Sequence, residues 1–341
     1  MSRCAMNPKV LVASLRRFLR ASGLAISWLV VMGVQSPLWA DILDVTNLFA
    51  VGPGGGCPAG CLEEVNTSTN AITTIFAPPG GGPDSLIFAP GNKIVYTLVN
   101  QGEIGIFTRG TSMNTLVGGF GQPRDLALEP SQTSVLVGDF TAGSIKRVDL
   151  GTFVVSTLGS GYGGVDGITY DNSGLLFAVI GGTSSAEGSG TRVAQIDPIT
   201  GAVLNSISGF TGLDGITFDP VTGALWVSDR TFSGLRKFPT NLAGSTLFAA
   251  GLIPVPDGLE SNGAGNIFVA SQGNRIFEYN ITGNTTTGLT VVTGLDDLAP
   301  LVGLGAPPAV PEPFGSDLLG VGILAFLGYG GVRTSTRKGR R

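Results

Sequence analysis

An aspartate recurs at nearly regular intervals along this chain of 341 residues. It stands in the phrases Val165-Asp166-Gly167-Ile168, Leu213-Asp214-Gly215-Ile216 and Pro256-Asp257-Gly258-Leu259, and in weaker copies elsewhere. The equivalent positions are Asp84, Asp125, Asp166, Asp214, Asp257 and Asp297, with spacings of 41, 41, 48, 43 and 40 residues. Carboxylates that share a narrow space repel one another, and a bound cation relieves that repulsion. If the six converge, they form a candidate site for Ca²⁺ or another divalent cation, because calcium takes oxygen ligands in irregular geometry.

The same aspartates also have a purely structural interpretation, which the sequence leaves open. An Asp side chain accepts backbone hydrogen bonds at a turn, and a following Gly relaxes the backbone there. A repeat would copy this local arrangement into every unit.

The chain has no histidine, so Ser-His-Asp and Cys-His catalysis and histidine-ligated zinc are excluded within it. Cys57 and Cys61 are separated by three residues. In an oxidising compartment this pair is predicted to form a disulfide, and a redox-active pair is the alternative.

The elements that position the aspartates follow from the repeat. After each copy the sequence reads as a turn, an apolar strand such as residues 224–228, a charged strand such as 235–238 and a short fourth strand such as 245–248. Four short antiparallel strands at a period near 43 residues predict the blade of a β-propeller. The longest spacing is explained by a Gly/Ser-rich insertion at residues 181–190.

Counting the copies predicts six blades, the last of which is completed by strands from the other end of the chain. Residues 48–51, 61–65 and 72–76 have suitable lengths and order for those strands. The expected fold is therefore an all-β, six-bladed propeller that closes by pairing its N- and C-terminal strands. Pro300 argues against a strand at the predicted position of closure.

The repeats at residues 42–304 resemble the NHL and SMP-30/gluconolactonase groups of six-bladed propellers. In the lactonase-like group the resemblance implies a divalent metal on the channel axis, held by a Glu, two Asn and an Asp. Asp257 matches the Asp ligand's motif best, followed by Asp214 and Asp166. The chain departs from the pattern because no Glu opens a repeat and the Asn positions read as Asp or are absent. Related propellers with catalytic histidines are excluded by composition.

Both ends of the sequence read as targeting segments. Basic residues followed by an apolar stretch at 21–34 predict a signal peptide, residues 1–40, cleaved after Ala40. Near the other end, Pro311-Glu312-Pro313 precedes an apolar run at 318–332 and a basic tail. This order resembles the PEP-CTERM sorting signal of exported bacterial proteins, which implies processing by an exosortase-type protease. An ordinary C-terminal membrane anchor is the alternative, and in both cases the tail is cytoplasmic.

These boundaries predict a propeller at 41–304, a Pro-rich linker at 305–313 and a transmembrane sorting segment at 314–341. Residues 41–313 hold 10 basic and 23 acidic side chains, a net charge of −13, which excludes nucleic acid as a partner bound through its phosphates. The first functional hypothesis is a non-enzymatic binding or structural module in the cell envelope or extracellular matrix, with polysaccharide or envelope proteins as partners. The second is a metal-dependent hydrolase of the lactonase type.

Overall fold

The structure is a computed structural model that describes residues 42–47, 60–67, 69–80, 82–182, 188–292 and 295–300. Within these ranges every regular element is a β-strand, and no helix long and apolar enough to cross a bilayer is present. The predicted signal peptide and the segment at 314–341 lie outside the described residues, so both stay predictions.

The described residues form 23 strands arranged in antiparallel sheets. The strands of the first half are β1 (Ile42–Asn47), β2 (Leu62–Asn66), β3 (Ala71–Phe76), β4 (Pro83–Ala89), β5 (Lys93–Leu98), β6 (Glu103–Thr108), β7 (Asn114–Gly118), β8 (Pro123–Leu128), β9 (Ser134–Asp139), β10 (Ser144–Asp149), β11 (Val155–Ser160) and β12 (Gly164–Tyr170). Those of the second half are β13 (Leu176–Gly182), β14 (Gly190–Ile196), β15 (Val203–Asp219), β16 (Ala224–Asp229), β17 (Gly234–Pro239), β18 (Thr246–Phe248), β19 (Pro256–Ser261), β20 (Asn266–Ser271), β21 (Arg275–Asn280), β22 (Thr285–Val291) and β23 (Leu295–Pro300).

These strands make six four-stranded blades. Blade 1 is β4 to β7, blade 2 is β8 to β11 and blade 5 is β19 to β22. The 17-residue strand β15 belongs to two blades: its first part is the fourth strand of blade 3, and its second part is the first strand of blade 4. Blades 3 and 4 therefore form one seven-stranded sheet. Blade 6 consists of β23, β1, β2 and β3 in that order.

The first strands of the blades form a closed ring around a central channel. Each first strand contacts the first strand of the next blade, and β23 contacts β4, which completes the circle. The prediction of a six-bladed β-propeller is confirmed in the described residues.

Closure of the ring joins the two ends of the propeller, as predicted. In blade 6, β1 pairs with β23, and Leu43 lies opposite Pro300. Two of the predicted N-terminal strands, 61–65 and 72–76, match β2 and β3. The third is β1, which precedes the predicted 48–51, and residues 48–51 lie outside the described residues. Pro300 is tolerated because it ends β23, which is the edge strand of its sheet and needs only one row of ladder bonds.

Packing between blades explains why so many strands are apolar on both faces. Every residue of β9 and β16 is buried, because neighbouring sheets cover both sides of a middle strand. Trp226 and Phe268, predicted to be core residues, are almost fully buried. Fourth strands lie at the rim, so the first part of β15 is largely exposed.

Each first strand contains a β-bulge near its beginning. In blades 1 to 5 the register of the first strand shifts within the first few residues, and in blade 6 it shifts where β23 pairs with β1. A bulge re-aims side chains and often lies next to a functional site. We call the end of the channel where the first strands begin the mouth, and the opposite end the exit. Since the strands alternate in direction, the loops before first and third strands lie on the mouth face, and the other loops lie on the exit face.

Glycine within the bulges allows neighbouring blades to approach closely. A Cβ added at Gly215 would lie 2.9 Å from the carbonyl oxygen of Asp257 and 2.9 Å from Cδ2 of Leu259. We therefore expect Gly215→Ala to cost about 2 kcal/mol and to lower the Tm by roughly 4–8 °C. Gly244→Ala is the control, because nothing lies within 4 Å of its added Cβ. Equal Tm values for the two variants would show that blade contact at Gly215 is not tight.

Candidate functional site

The central channel encloses about 280 Å³ and is lined by residues of all six first strands. All six predicted aspartates border it: Asp84, Asp125, Asp166, Asp214, Asp257 and Asp297. The repeat therefore brings these carboxyl groups into one space, as expected.

The six aspartates are not structurally equivalent. In blades 2 and 6 the aspartate predicted to match the others lies one residue after the matching position. Within the bulges, Asp84, Asp166, Asp214 and Asp257 occupy the first position, which is at the mouth. In blades 2 and 6 that position belongs to Arg124 and Asp296. Asp125 and Asp297 stand one residue further into the channel, where blades 3, 4 and 5 have glycine. Asp125 and Asp297 were predicted to be equivalent to the other four because they are aspartates. Only the register of the paired strands shows that they stand one position later.

At the mouth, the guanidinium of Arg230 bridges two of the aspartates. Its Nε lies 2.5 Å from Oδ2 of Asp214, and its Nη2 lies 2.7 Å from Oδ1 of Asp257. Its Nη1 donates to Oε1 of Gln272 at 3.1 Å. The amide of Gln272 in turn donates to Oδ2 of Asp257 at 2.7 Å and to Oδ1 of Asp296 at 3.0 Å. The chain itself therefore supplies a cation and an amide donor to this half of the mouth.

Arg230 and Gln272 occupy the same place in successive blades, directly after the second strand. The backbone N–H of Arg230 donates to the carbonyl of Gly212, and that of Gln272 donates to the carbonyl of Val255. In blade 2 the equivalent residue is Phe140, whose ring lies 4.9 Å from the buried guanidinium of Arg124. Sequence reasoning missed Arg230 and Gln272, although their common position after an apolar strand could have identified them.

Deeper in the channel, Asp125 joins three consecutive blades. Its Oδ1 accepts hydrogen bonds from the hydroxyl of Ser85 in blade 1, at 3.0 Å, and from the backbone N–H of Leu126. Its Oδ2 accepts from the backbone N–H of Ile168 in blade 3 at 2.7 Å.

Asp297 has the same role at the junction between blades 6 and 1. Its carboxyl is hydrogen-bonded to Ser85 and to the backbone of Leu86, as well as to its own neighbour Leu298. A Cβ added at Gly258 would lie 1.7 Å from Oδ1 of Asp297, so glycine leaves the space that this carboxyl fills. These inner contacts agree with the structural interpretation of the aspartates as hydrogen-bond acceptors.

The interior raises the pKa values of its carboxyl groups toward neutrality. Burial raises the pKa of Asp125 to about 7, and burial together with the charge of Asp125 raises that of Asp297 to about 8. Burial also raises the pKa of Glu260, which lines the channel and is hydrogen-bonded to Thr217, to about 7. At the mouth, burial and then the charge of Asp296 raise the pKa of Asp257, and the guanidinium of Arg230 works against that rise.

Two of the candidate calcium ligands already have a cationic partner within the chain. Among the described residues no group of three or more acidic or cysteine side chains is arranged to hold a metal ion. Asp214 and Asp257 already form ion pairs with Arg230. Calcium there would require Arg230 to move away, so the predicted cation stays a prediction with that condition.

The remaining predicted site residues lie at or beyond the limits of the structure. Cys61 is buried and disulfide-bonded, but Cys57 lies outside the described residues and the pairing stays a prediction. The sorting motif Pro311, Glu312 and Pro313 also lies outside them. The predicted insertion falls between β13 and β14, and its end reaches the mouth, because a Cβ added at Gly188 would lie 2.2 Å from Cδ of Arg230.

The fold and this channel define the chain as a β-propeller, and solved structures of low identity agree. A chain from the crystal structure of a nidogen/laminin complex matches with a TM-score of 0.59 and 15% identity, over 76% of this chain and 98% of that one. A streptogramin B lyase matches with a TM-score of 0.54 and 15% identity, over 74% of this chain and 88% of that one. At such identity the likeness concerns the fold alone. No protein-family model and no curated protein matches the chain.

Proposed function

We propose that this protein is an exported β-propeller of the cell envelope or extracellular matrix that acts as a non-enzymatic binding or structural module. One observation carries the proposal: Arg230 and Gln272 hold the carboxylates of the mouth in a network within the chain. An oxygen-ligand metal site for catalysis needs an open coordination position, whereas here the chain's own guanidinium is bonded to two of the candidate ligands.

The mouth is a net acidic layer on a rigid scaffold, and loops on such a scaffold are where binding residues concentrate. Five carboxylates and two guanidiniums belong to this layer and its loops: Asp84, Asp166, Asp214, Asp257, Asp296, Arg124 and Arg230. Its acidic balance favours cationic groups on a partner, while polysaccharide or envelope proteins remain the proposed partner classes.

A calcium titration tests the role of Arg230 at the mouth. We expect calcium to leave the Tm of the wild-type protein unchanged and to raise that of Arg230→Met, because removing the guanidinium frees Asp214 and Asp257 as ligands. Differential scanning calorimetry with calcium and with magnesium checks this, and Arg275→Met serves as an exposed-arginine control. Stabilisation of the wild type at micromolar calcium would instead establish the predicted cation site.

A hydrolase of the lactonase type is the second candidate, and one observation favours it. Asp125, Asp297 and Glu260 have pKa values near neutrality inside a channel, as a general acid or base requires. A lactone-hydrolysis screen of the wild type against Asp257→Ala and Asp125→Asn tests it. Lactone turnover that both substitutions abolish would show that the protein is a hydrolase and would replace the binding proposal. Equal rates in all three proteins would exclude the lactonase function.

A further inference from the structure

The exit face carries exposed apolar side chains on four consecutive blades. The exposed fractions are 68% for Met113, 62% for Val154, 84% for Ile199 and 58% for Val221. These residues lie in the loops before β7, before β11, before β15 and before β16, which all belong to the exit face. The mouth face also has exposed apolar side chains, at Phe232, Leu252 and Val255, so it is the position of the chain ends that distinguishes the exit face.

Two of these loops direct their polar groups inward and place an apolar side chain at the tip. In blade 2, Oδ1 of Asp149 accepts hydrogen bonds from the backbone N–H of Gly151 and of Thr152. In blade 3, Oδ1 of Asp197 accepts from the backbone N–H of Ile199 and of Thr200. The loops thereby satisfy their own backbone donors and leave the apolar tips facing outward.

Phe153 adds an independent observation, because it occupies a position at which glycine is expected. Its φ is +60°, and its N–H donates to the carbonyl of Asp149. The matching position in blade 3 is Gly201, with φ +73° and the same bond to Asp197. A left-handed conformation strains an aromatic residue and suits glycine. Folding alone favours glycine at this position, and the 37% exposed ring of Phe153 adds an aromatic side chain to the exit face.

Both ends of the propeller lie on this same face. β23 runs from the mouth to the exit and ends at Pro300, and β1 begins beside it, since Leu43 pairs with Pro300. The segment predicted to enter the membrane begins at residue 314, so 13 residues separate it from β23. An extended chain of that length spans at most about 45 Å. The predicted segment therefore holds the exit face within a short distance of the bilayer.

We propose that the exit face of blades 1 to 4 rests on a lipid bilayer, with the tips at Met113, Phe153, Val154, Ile199 and Val221 in the interfacial region. Apolar side chains held at that depth bind a membrane surface without crossing it. Backbone hydrogen bonds from Thr152 lower the pKa of Asp149, and those from Thr200 and Ile199 lower that of Asp197, so both are charged. The surface therefore favours zwitterionic over anionic lipid. This inference goes beyond the role of the mouth and rests on the predicted membrane segment.

The test uses the full chain in phosphatidylcholine vesicles that contain a lipid-borne quencher near the headgroup. In a Cys4→Ser background, a fluorophore is attached to Ile199→Cys without prior reduction, and the same fluorophore on Thr231→Cys, an exposed position on the mouth face, is the control. We expect at least twofold stronger quenching at position 199 than at position 231. Adding anionic lipid should weaken the quenching at position 199.

Each other outcome overturns the proposal. Protein that does not float with the vesicles has no membrane contact. Protein that floats with equal quenching at both positions is tethered without lying on this face. A label at position 199 that is shielded from aqueous iodide but not quenched by lipid is covered by another protein chain.

Phe153→Gly separates the membrane role of the ring from a role in folding. We expect its Tm to equal or exceed that of the wild type, while quenching at position 199 falls. A lower Tm with unchanged quenching would show that Phe153 serves folding, and this would contradict the inference from its backbone conformation.

Discussion

Replacement of Arg230 by methionine is expected to lower the free energy of unfolding by roughly 3 kcal/mol. The Arg230 side chain is 16% exposed, and its guanidinium forms ion pairs with Asp214 and Asp257, whose side chains are 7% and 9% exposed. Methionine keeps much of the apolar stem and removes the charge, so two buried carboxylates lose their cation. The value lies at the lower end of the range for a broken buried ion pair, because Asp257 can take up a proton when Arg230 is absent.

The loss of stability in Arg230→Met is also expected to depend on pH. Burial and Asp296 already raise the pKa of Asp257 and Arg230 opposes them, so the pKa rises further in the variant. The difference in Tm between wild type and Arg230→Met should therefore be larger at pH 8 than at pH 5. Combining Arg230→Met with Asp214→Asn and Asp257→Asn should recover most of the loss. Failure of the triple variant to recover would show that Arg230 acts through packing and not through charge.

The second large effect concerns the deeper carboxyl groups. We expect the wild type to lose stability as the pH rises from about 5 to about 8 and to change little above that. Asp125, Asp297 and Glu260 have pKa values of about 7, 8 and 7 in the folded protein, raised by burial. In the unfolded chain they titrate near pH 4. The folded state therefore binds more protons between these values. This contribution is fully present below about pH 4 and is lost as the pH rises through 7 to 8.

Each of these carboxyl groups lowers the free energy of unfolding by about 1.4 kcal/mol per pH unit between its unfolded and its folded pKa. Calorimetric Tm values from pH 4.5 to 9 measure the effect, with Asp125→Asn and Asp297→Asn as comparisons. Both variants should show a flatter profile, and above pH 8 they should approach or exceed the wild type. A wild-type profile that is level from pH 5 to 8.5 would mean that these carboxyl groups stay hydrated and ionised.

The repeat in the sequence predicted the blade number, the ring and the place of the aspartates because a repeated motif must recur in each blade. Asp166, Asp214 and Asp257 lie at the mouth for this reason. The same comparison could not separate Arg124 from Asp125, since only the position of the bulge decides which residue is at the mouth. Such a bulge depends on pairing with β9, a contact that a single strand does not encode.

The position of Arg230 and Gln272 after an apolar strand is visible in the sequence, but their partners could not be predicted, because those arise from tertiary contacts between blades. Arg230 follows β16 of blade 4, while one of its partners, Asp257, begins β19 of blade 5. The sequence shows an acidic repeat, and only the folded ring shows that a basic side chain from a neighbouring loop is bonded to it. The balance between a metal site and an internal ion pair depends on that contact.

The pairing of β1 with β23 determines when the propeller can finish folding. Leu43 finds its partner at Pro300, more than 250 residues later in the chain. During synthesis, β1 emerges from the ribosome long before the strand that must lie beside it. Until Pro300 has emerged as well, β1 has a free edge and the ring of blades stays open. We therefore expect maturation to be slow and to depend on holding factors that shield the early strands.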